Sequence, residues 1–388
     1  PMSIYLDNAA TSHPKPEAVY RAIDQALRQV GANPGRGGHA MGLEAGRLVF
    51  EARESLADFF GIADSSRIAF TANATEAINL ALFGLLQAGD RVVTSTMEHN
   101  AVLRPLRVLR ERGVEVVQVP GDRQGFVDPR AVRDACRVPT RMVVLSHCSN
   151  VSGTLQPVEE IGPWCRERGI LFLLDAAQSA GAFPIHVDAL GVDLLAVPGH
   201  KSLMGPQGTG FLYVRSGLHL TPLIHGGTGG HSNADGMPEE MPERCEAGTR
   251  NTPGIAGLKA AVDFIRETGL PKIRAHEKAL LSRLLDGLNR LPKVAVHGPR
   301  DLDRHGGACS FTLDGIDPAQ VGFRLDHDYG IVCRVGLHCA PDAHRTLGTH
   351  PRGTVRVSPG YFTTVEEIDA LLAALAELPG RIAAEDAT

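Results

Sequence analysis

The chain has 388 residues, of which 43% are apolar and 21% charged, an ordinary globular composition that excludes a disordered or fibrous protein. With 39 Lys and Arg against 44 Asp and Glu the formal charge is -5, and no basic run stands out, so nucleic acid is not an expected partner. No apolar stretch approaches the roughly 20 residues that span a bilayer, and the first strand-like segment, IYLDNAAT, is not a basic stretch followed by an apolar one; a cytoplasmic protein with no membrane association is expected. The length calls for a large domain with a smaller companion.

The seven cysteines, Cys136, Cys148, Cys165, Cys245, Cys309, Cys333 and Cys339, follow no framework spacing and form no CxxC pair. Neither a disulfide scaffold nor a cysteine-held zinc site is expected, and no other metal site is read.

From about residue 65, apolar runs rich in β-formers alternate with helix-period segments. IAF leads into ATEAINLALFGLLQAG, and RVVTST leads into NAVLRPLRVLRERG. VEVVQV, RMVVLSH, EEIGPWCRERG, ILFLLD and DLLAVP follow in turn. This alternation predicts an α/β fold with a mostly parallel sheet flanked by helices. Beyond about residue 255 two long helical segments, a few short strands and a closing helix, VEEIDALLAALAEL, predict a smaller α+β domain. In open α/β sheets ligands bind beyond the carboxyl ends of the strands, which directs attention to four loops.

Lys201, in PGHKSLMGPQGTG, follows a buried-type strand, where a desolvated amine can form an imine with an aldehyde cofactor; a solvated surface lysine is the ordinary alternative. Asp175 directly follows ILFLL and either salt-bridges a protonated ring nitrogen or caps a following helix, with Gln178 three residues on. Thr75 opens a helix after a strand, an arrangement that seats a phosphate or simply caps the helix. His99 ends another strand, as a stacking and proton-transferring imidazole or as a structural histidine.

Taken together and in this order, these fragments resemble the class V (fold type I) aminotransferase superfamily and, within it, the cysteine desulfurases, over nearly the whole chain from YLDNAAT to SPGYFTTVEEID. The resemblance implies pyridoxal 5'-phosphate (PLP) as cofactor, Lys201 as its Schiff-base lysine, Asp175 at the pyridine nitrogen, Gln178 at the ring hydroxyl and His99 stacked on the ring. It implies phosphate contacts from Ala74, Thr75 and His200, and from Thr249 to the opposite subunit of a homodimer. Asn150 and Arg356 match the positions that hold the substrate carboxylate. The segment CRVGLHCA matches the RxGxHCA motif of the second, Suf-like, group at Arg334, Gly336, His338, Cys339 and Ala340, with Arg334 also expected near the substrate. The implied reaction converts L-cysteine to L-alanine with a persulfide on Cys339, passed to an acceptor protein or a thiol reductant. Selenocysteine lyase, a cysteine or cystine β-lyase, and transamination or epimerisation share the scaffold; outside enzymes, a non-catalytic sulfur-transfer or regulatory scaffold is the alternative.

The expected parts are an N-terminal segment, 1–15, packing with the small domain; a large PLP-binding domain, 16–255; and a small domain, 256–388, carrying Cys339 and Arg356. One departure from the family pattern is Pro198, where a hydroxyl residue is usual, which shifts phosphate binding toward backbone donors, His200 and Thr249. Cys148 and Cys333 are expected to be packing residues. The stretch between Gly226 and Thr249 matches only at its ends, and its His231 and Cys245 are read as incidental.

Overall fold

The computed structural model describes residues 3–34, 38–230, 233 and 235–386, so His231 lies outside the described residues. After a short β1 (Ile4–Tyr5) come α1 (Glu17–Gln29) and α2 (Ala40–Phe60), the latter closed by Gly61 in a left-handed conformation at φ 67°. The alternating region then runs β2 (Ile68–Thr71), α3 (Ala74–Leu85), β3 (Arg91–Ser95), α4 (Asn100–Glu111), β4 (Glu115–Val119), α5 (Pro129–Ala135), β5 (Met142–Ser146), α6 (Val158–Glu167) and β6 (Leu171–Asp175). β7 (Leu194–Pro198) and β8 (Gly210–Val214) complete the large sheet.

Its seven strands lie in the order β2-β8-β7-β6-β5-β3-β4. Pairing is parallel from β7 through β4, whereas β8 runs antiparallel to both of its neighbours. The central strands MVVLS, LFLLD and LLAVP are buried at every residue because helices cover both faces, which explains why they read as continuous apolar runs rather than alternating ones. Two apolar clusters, one on each face, fill the layers between sheet and helices.

The remaining chain forms α7 (Thr252–Thr268), α8 (Leu270–Arg290), β9 (Val294–His297), β10 (Cys309–Leu313), α9 (Pro318–Tyr329), β11 (Ile331–Val332), β12 (Arg334–Gly336), α10 (Pro341–Leu347), β13 (Thr354–Val357) and α11 (Val365–Asp386). An antiparallel sheet in the order β12-β13-β10-β9 packs with α8, α9 and α11 around a third apolar cluster. β1 pairs in parallel with β11, so the first strand of the chain belongs to this smaller unit. α7 packs on α1 and α2, and its Ile255, Leu258, Ala261, Val262 and Ile265 lie in the core of the large sheet. Ala340, Ala343 and Leu347, which follow Cys339, also lie in that core. Among the described residues no helix is long and apolar enough to cross a membrane.

Candidate active site

The carboxyl ends of β3, β5, β6 and β7 surround a pocket. Its lining includes Ala74, Thr75, His99, Asn150, Asp175, Gln178, His200 and Lys201, which the sequence had spread over more than a hundred positions.

Asp175 is the last residue of β6 and is buried at 4% exposure. Its Oδ1 accepts the Ala177 amide at 2.9 Å, and a turn follows rather than a helix, so the helix-cap reading of this residue fails. Desolvation raises its pKa while the Ala177 amide, Lys201 and the Ser146 hydroxyl pull it down. Lys201 follows β7, and desolvation lowers its amine from 10.5 to about 8 against the pull of Asp175. Such an amine is neutral in about a tenth of molecules at pH 7, far more than an ordinary lysine, and the neutral form is the one needed for attack on an aldehyde.

His99 is the N-cap of α4: its Nδ1 accepts the Ala101 amide at 2.9 Å, which puts the ring proton on Nε2. Desolvation, with the nearby Lys201 and Arg356 charges, lowers it to about 4, so the imidazole is neutral. At α3 the N-cap is Asn73, whose side chain accepts the Glu76 amide at 2.9 Å while Glu76 accepts the Ala72 amide at 2.7 Å. Those bonds leave the Ala74 and Thr75 amides facing the pocket end of the helix, where the macrodipole favours an anion. His200 Nδ1 is buried and has no partner among the described residues. Pro198 ends β7 in register with Gly210 and lines the pocket with an apolar ring where a hydroxyl residue would have offered a donor.

A buried amine beside a carboxylate, a neutral imidazole, free amides at a helix N-terminus and an orphaned imidazole nitrogen make a donor set that fits PLP. Lys201 would bind its aldehyde carbon, Asp175 its ring nitrogen, and Ala74, Thr75 and His200 its phosphate. Gln178 is tied elsewhere through one atom, its Nε2 donating to the Ala9 carbonyl at 2.9 Å. Thr249 is exposed and lies outside this pocket, in a second one with Ala72, Glu76, Gly208 and Arg250 on the far side of the α3 N-terminal loop.

The substrate-binding candidates come together through a residue that sequence reading missed. Asp7 Oδ1 accepts from Arg356 Nη2 at 2.9 Å, and Asp7 Oδ2 accepts from Arg334 at 3.1 Å. Arg356 is buried at 2% exposure, donates through Nη1 to the Asn150 carbonyl at 3.0 Å, and leaves Nε without a partner among the described residues. Asn150 Nδ2 donates to the His338 carbonyl at 2.7 Å, and the Asn100 amide donates to the Cys339 carbonyl at 2.8 Å. Cys339 is the one exposed cysteine of the seven, and its thiol interacts electrostatically with Lys201 and Arg356. Burial pushes the Cys148 and Cys333 thiols up to about 12 and that of Cys245 up to about 11, which leaves them protonated at neutral pH.

The aminotransferase class-V family model matches residues 4–371. A probable cysteine desulfurase of Methanothermobacter thermautotrophicus is 40% identical over 383 residues, covering 97% of this chain and 95% of that protein. The chain belongs to the class-V aminotransferases, among the PLP-dependent cysteine desulfurases. Among solved structures, the apo cysteine desulfurase of Thermococcus onnurineus superposes with a TM-score of 0.91 at 38% identity, covering 97% of this chain and 94% of that one. The cysteine desulfurase CsdA of Escherichia coli, solved in an S-sulfonic acid form, gives a TM-score of 0.86 at 30% identity, with 96% and 94% covered. Membership in this family accounts for the layout of the pocket, whereas the Asp7 bridge and the buried carboxyl of Glu98 behind the pocket left no local signal in the sequence.

Proposed function

We propose that this protein is a PLP-dependent cysteine desulfurase that converts L-cysteine to L-alanine and carries the released sulfur as a persulfide on Cys339. The observation that carries this reading is the placement of Cys339, exposed and yet bonded through its own carbonyl to the residue after His99. A thiol meant for packing would be buried, as Cys148, Cys165 and Cys309 are.

PLP, when bound, supplies an electron sink for charge that develops at the substrate Cα. Lys201 would anchor it and, as a low-pKa amine, accept and return the Cα proton; His99, neutral with its proton on Nε2, could donate to the reacting centre. Asp175 keeps a positive charge favourable at the ring nitrogen. Arg356, Arg334 and Asn150 take the substrate carboxylate, for which the planar fork of Arg356 is suited. The Cys339 thiolate then attacks the substrate sulfur: an S–S bond forms, the C–S bond breaks, and its electron pair leaves with the carbon fragment that is protonated to alanine. The persulfide passes to a thiol of an acceptor protein or of a small reductant.

The motif around Cys339 supports assignment to the second, Suf-like, group. A homodimer is proposed because Thr249 lies outside its own chain's pocket, a position suited to serving the phosphate of a second subunit. Seven unpaired cysteines suit a reducing compartment such as the cytoplasm. We place the start of the small unit near α8, since α7 is packed into the large core.

Alanine and sulfide release from L-cysteine with a thiol reductant, measured for the wild type and Cys339→Ala, tests the reading. Sulfide release should disappear while the cofactor absorption band stays. Full activity in the variant would overturn the persulfide step and favour β-elimination.

A further inference from the structure

Glu98 precedes His99 and has no solvent exposure. Its Oε1 accepts the Ser95 hydroxyl at 2.6 Å, and its Oε2 accepts the Ser146 amide at 2.8 Å. Ser146 Oγ lies 2.8 Å from the same Oε2 and 3.4 Å from Asp175 Oδ2. Ser146 and Asp175 are direct neighbours at the ends of β5 and β6, so the sheet register itself fixes the hydroxyl between two carboxyl groups.

One hydroxyl carries one proton. If Glu98 were ionised, it would draw the Ser146 proton, and Asp175 Oδ2 would face the lone pairs of Ser146 Oγ with a second buried anion behind it. If Glu98 carries a proton on Oε2, it donates that proton to Ser146 Oγ, and the Ser146 hydroxyl is free to donate to Asp175. A proton on Asp175 with Glu98 ionised would match these atoms too, but the Ala177 amide and Lys201 favour the anion at Asp175, which no cation does for Glu98, so the second arrangement is preferred.

We propose that Glu98 is a neutral acid that acts through Ser146 as a positioning pair for Asp175, holding it as the anion turned toward the pocket. The proposal rests on the PLP reading above, because the benefit of an anionic Asp175 is to the ring nitrogen of that cofactor. Burial, opposed by the bonds to Ser95 and Ser146, pushes Glu98 up to about 7, and Asp175 is the charged group that adds to this rise. The bond from Ser146 pulls Asp175 down, as does Lys201 across the pocket. His99 and His147, the flanking imidazoles, are each held near 4 by burial and add no charge.

The test uses the holoenzyme and needs no turnover. Burial also raises Glu277 to about 7, so infrared spectroscopy with ¹³C-labelled glutamate is done in a Glu277→Gln background, where a protonated-carboxyl band just below neutral pH should appear and be missing once Glu98→Gln is added. In Ser146→Ala that band should remain while the ¹⁵N signal of the cofactor's ring nitrogen moves toward the unprotonated position. Absence of the protonated band in the Glu277→Gln protein, or a ring-nitrogen signal unchanged in Ser146→Ala, would overturn the proposal. Should Glu98→Gln not fold, the labelled Glu277→Gln protein, in which Glu98 is the remaining raised glutamate, and Ser146→Ala still decide it. Full sulfide release by Cys339→Ala alongside a positive infrared result would instead count against the persulfide reaction, not against the acid pair.

Discussion

On the pocket floor Ser146 and Asp175 end fully buried strands, and Lys201 follows a third just beyond the sheet. Cys339, by contrast, is exposed on a tight loop where His338 and Cys339 themselves adopt left-handed backbone at φ 47° and 58°. The floor is positioned by many parallel-sheet bonds, so its groups hold one geometry. The loop depends on a few contacts: the Asn100 amide, the Asn150 side chain, and the close passage of Gly353 beneath Gly336. The groups proposed to hold the cofactor are thus built on the sheet, and the thiol proposed to pass on sulfur is built on left-handed backbone that a few neighbours hold in place.

The largest expected break of this contrast comes from Arg356→Ala, which leaves the Asp7 carboxylate buried without its main partner. We expect a loss of about 3–5 kcal/mol in denaturant stability, together with a raised KM for L-cysteine. Slightly smaller is the effect of pH through Glu98. Its carboxyl rises from 4.5 to about 7 in the fold, so the folded state keeps a proton that the unfolded chain releases. The stabilisation is present below about 4.5 and lost as pH rises through about 7, about 3 kcal/mol in all. Glu98→Gln should remove that pH dependence from urea-unfolding curves, whereas an unchanged slope would mean that the acid is ionised in the fold.

Gly353→Ala sharpens the contrast on the loop side. A Cβ there would meet the Gly336 carbonyl oxygen at 2.1 Å, with φ at +78°. A stability loss of about 1–3 kcal/mol is expected, with faster alkylation of Cys339 by iodoacetamide as the loop loosens. Cys339→Ala sits at the bottom of the scale: thermal unfolding should shift by no more than about 0.5 kcal/mol, because an exposed side chain leaves no cavity. A larger change would mean that the thiol is packed rather than presented.

The order of helices and strands was legible because the central strands are continuous apolar runs and the intervening segments carry helical spacing. Lys201, Asp175 and His99 were legible for the same reason, since strand ends in such a sheet converge. The reversal of β8 was not, because GFLYV has the same apolar character in either direction. Asp7 left no signal, being 327 and 349 positions from its partners Arg334 and Arg356. Glu98 looked like any polar residue beside a histidine; its burial comes from strands β5 and β6, which are written far downstream.

The chain changes allegiance at Cys339. β12, just before it, is stitched to Arg356 in the small sheet, while Ala340, Ala343 and Leu347, just after it, are packed into the large core, with Asp342 and Thr346 bonded to Gln118 and Thr96. The thiol is therefore a joint between two bodies. A tilt of the smaller body would carry Arg356, the residue proposed to hold the substrate carboxylate, with it, while the thiol keeps its footing on the larger one. In the proposed reaction, the arginine that would hold the amino acid and the thiol that would take its sulfur thus answer to different bodies.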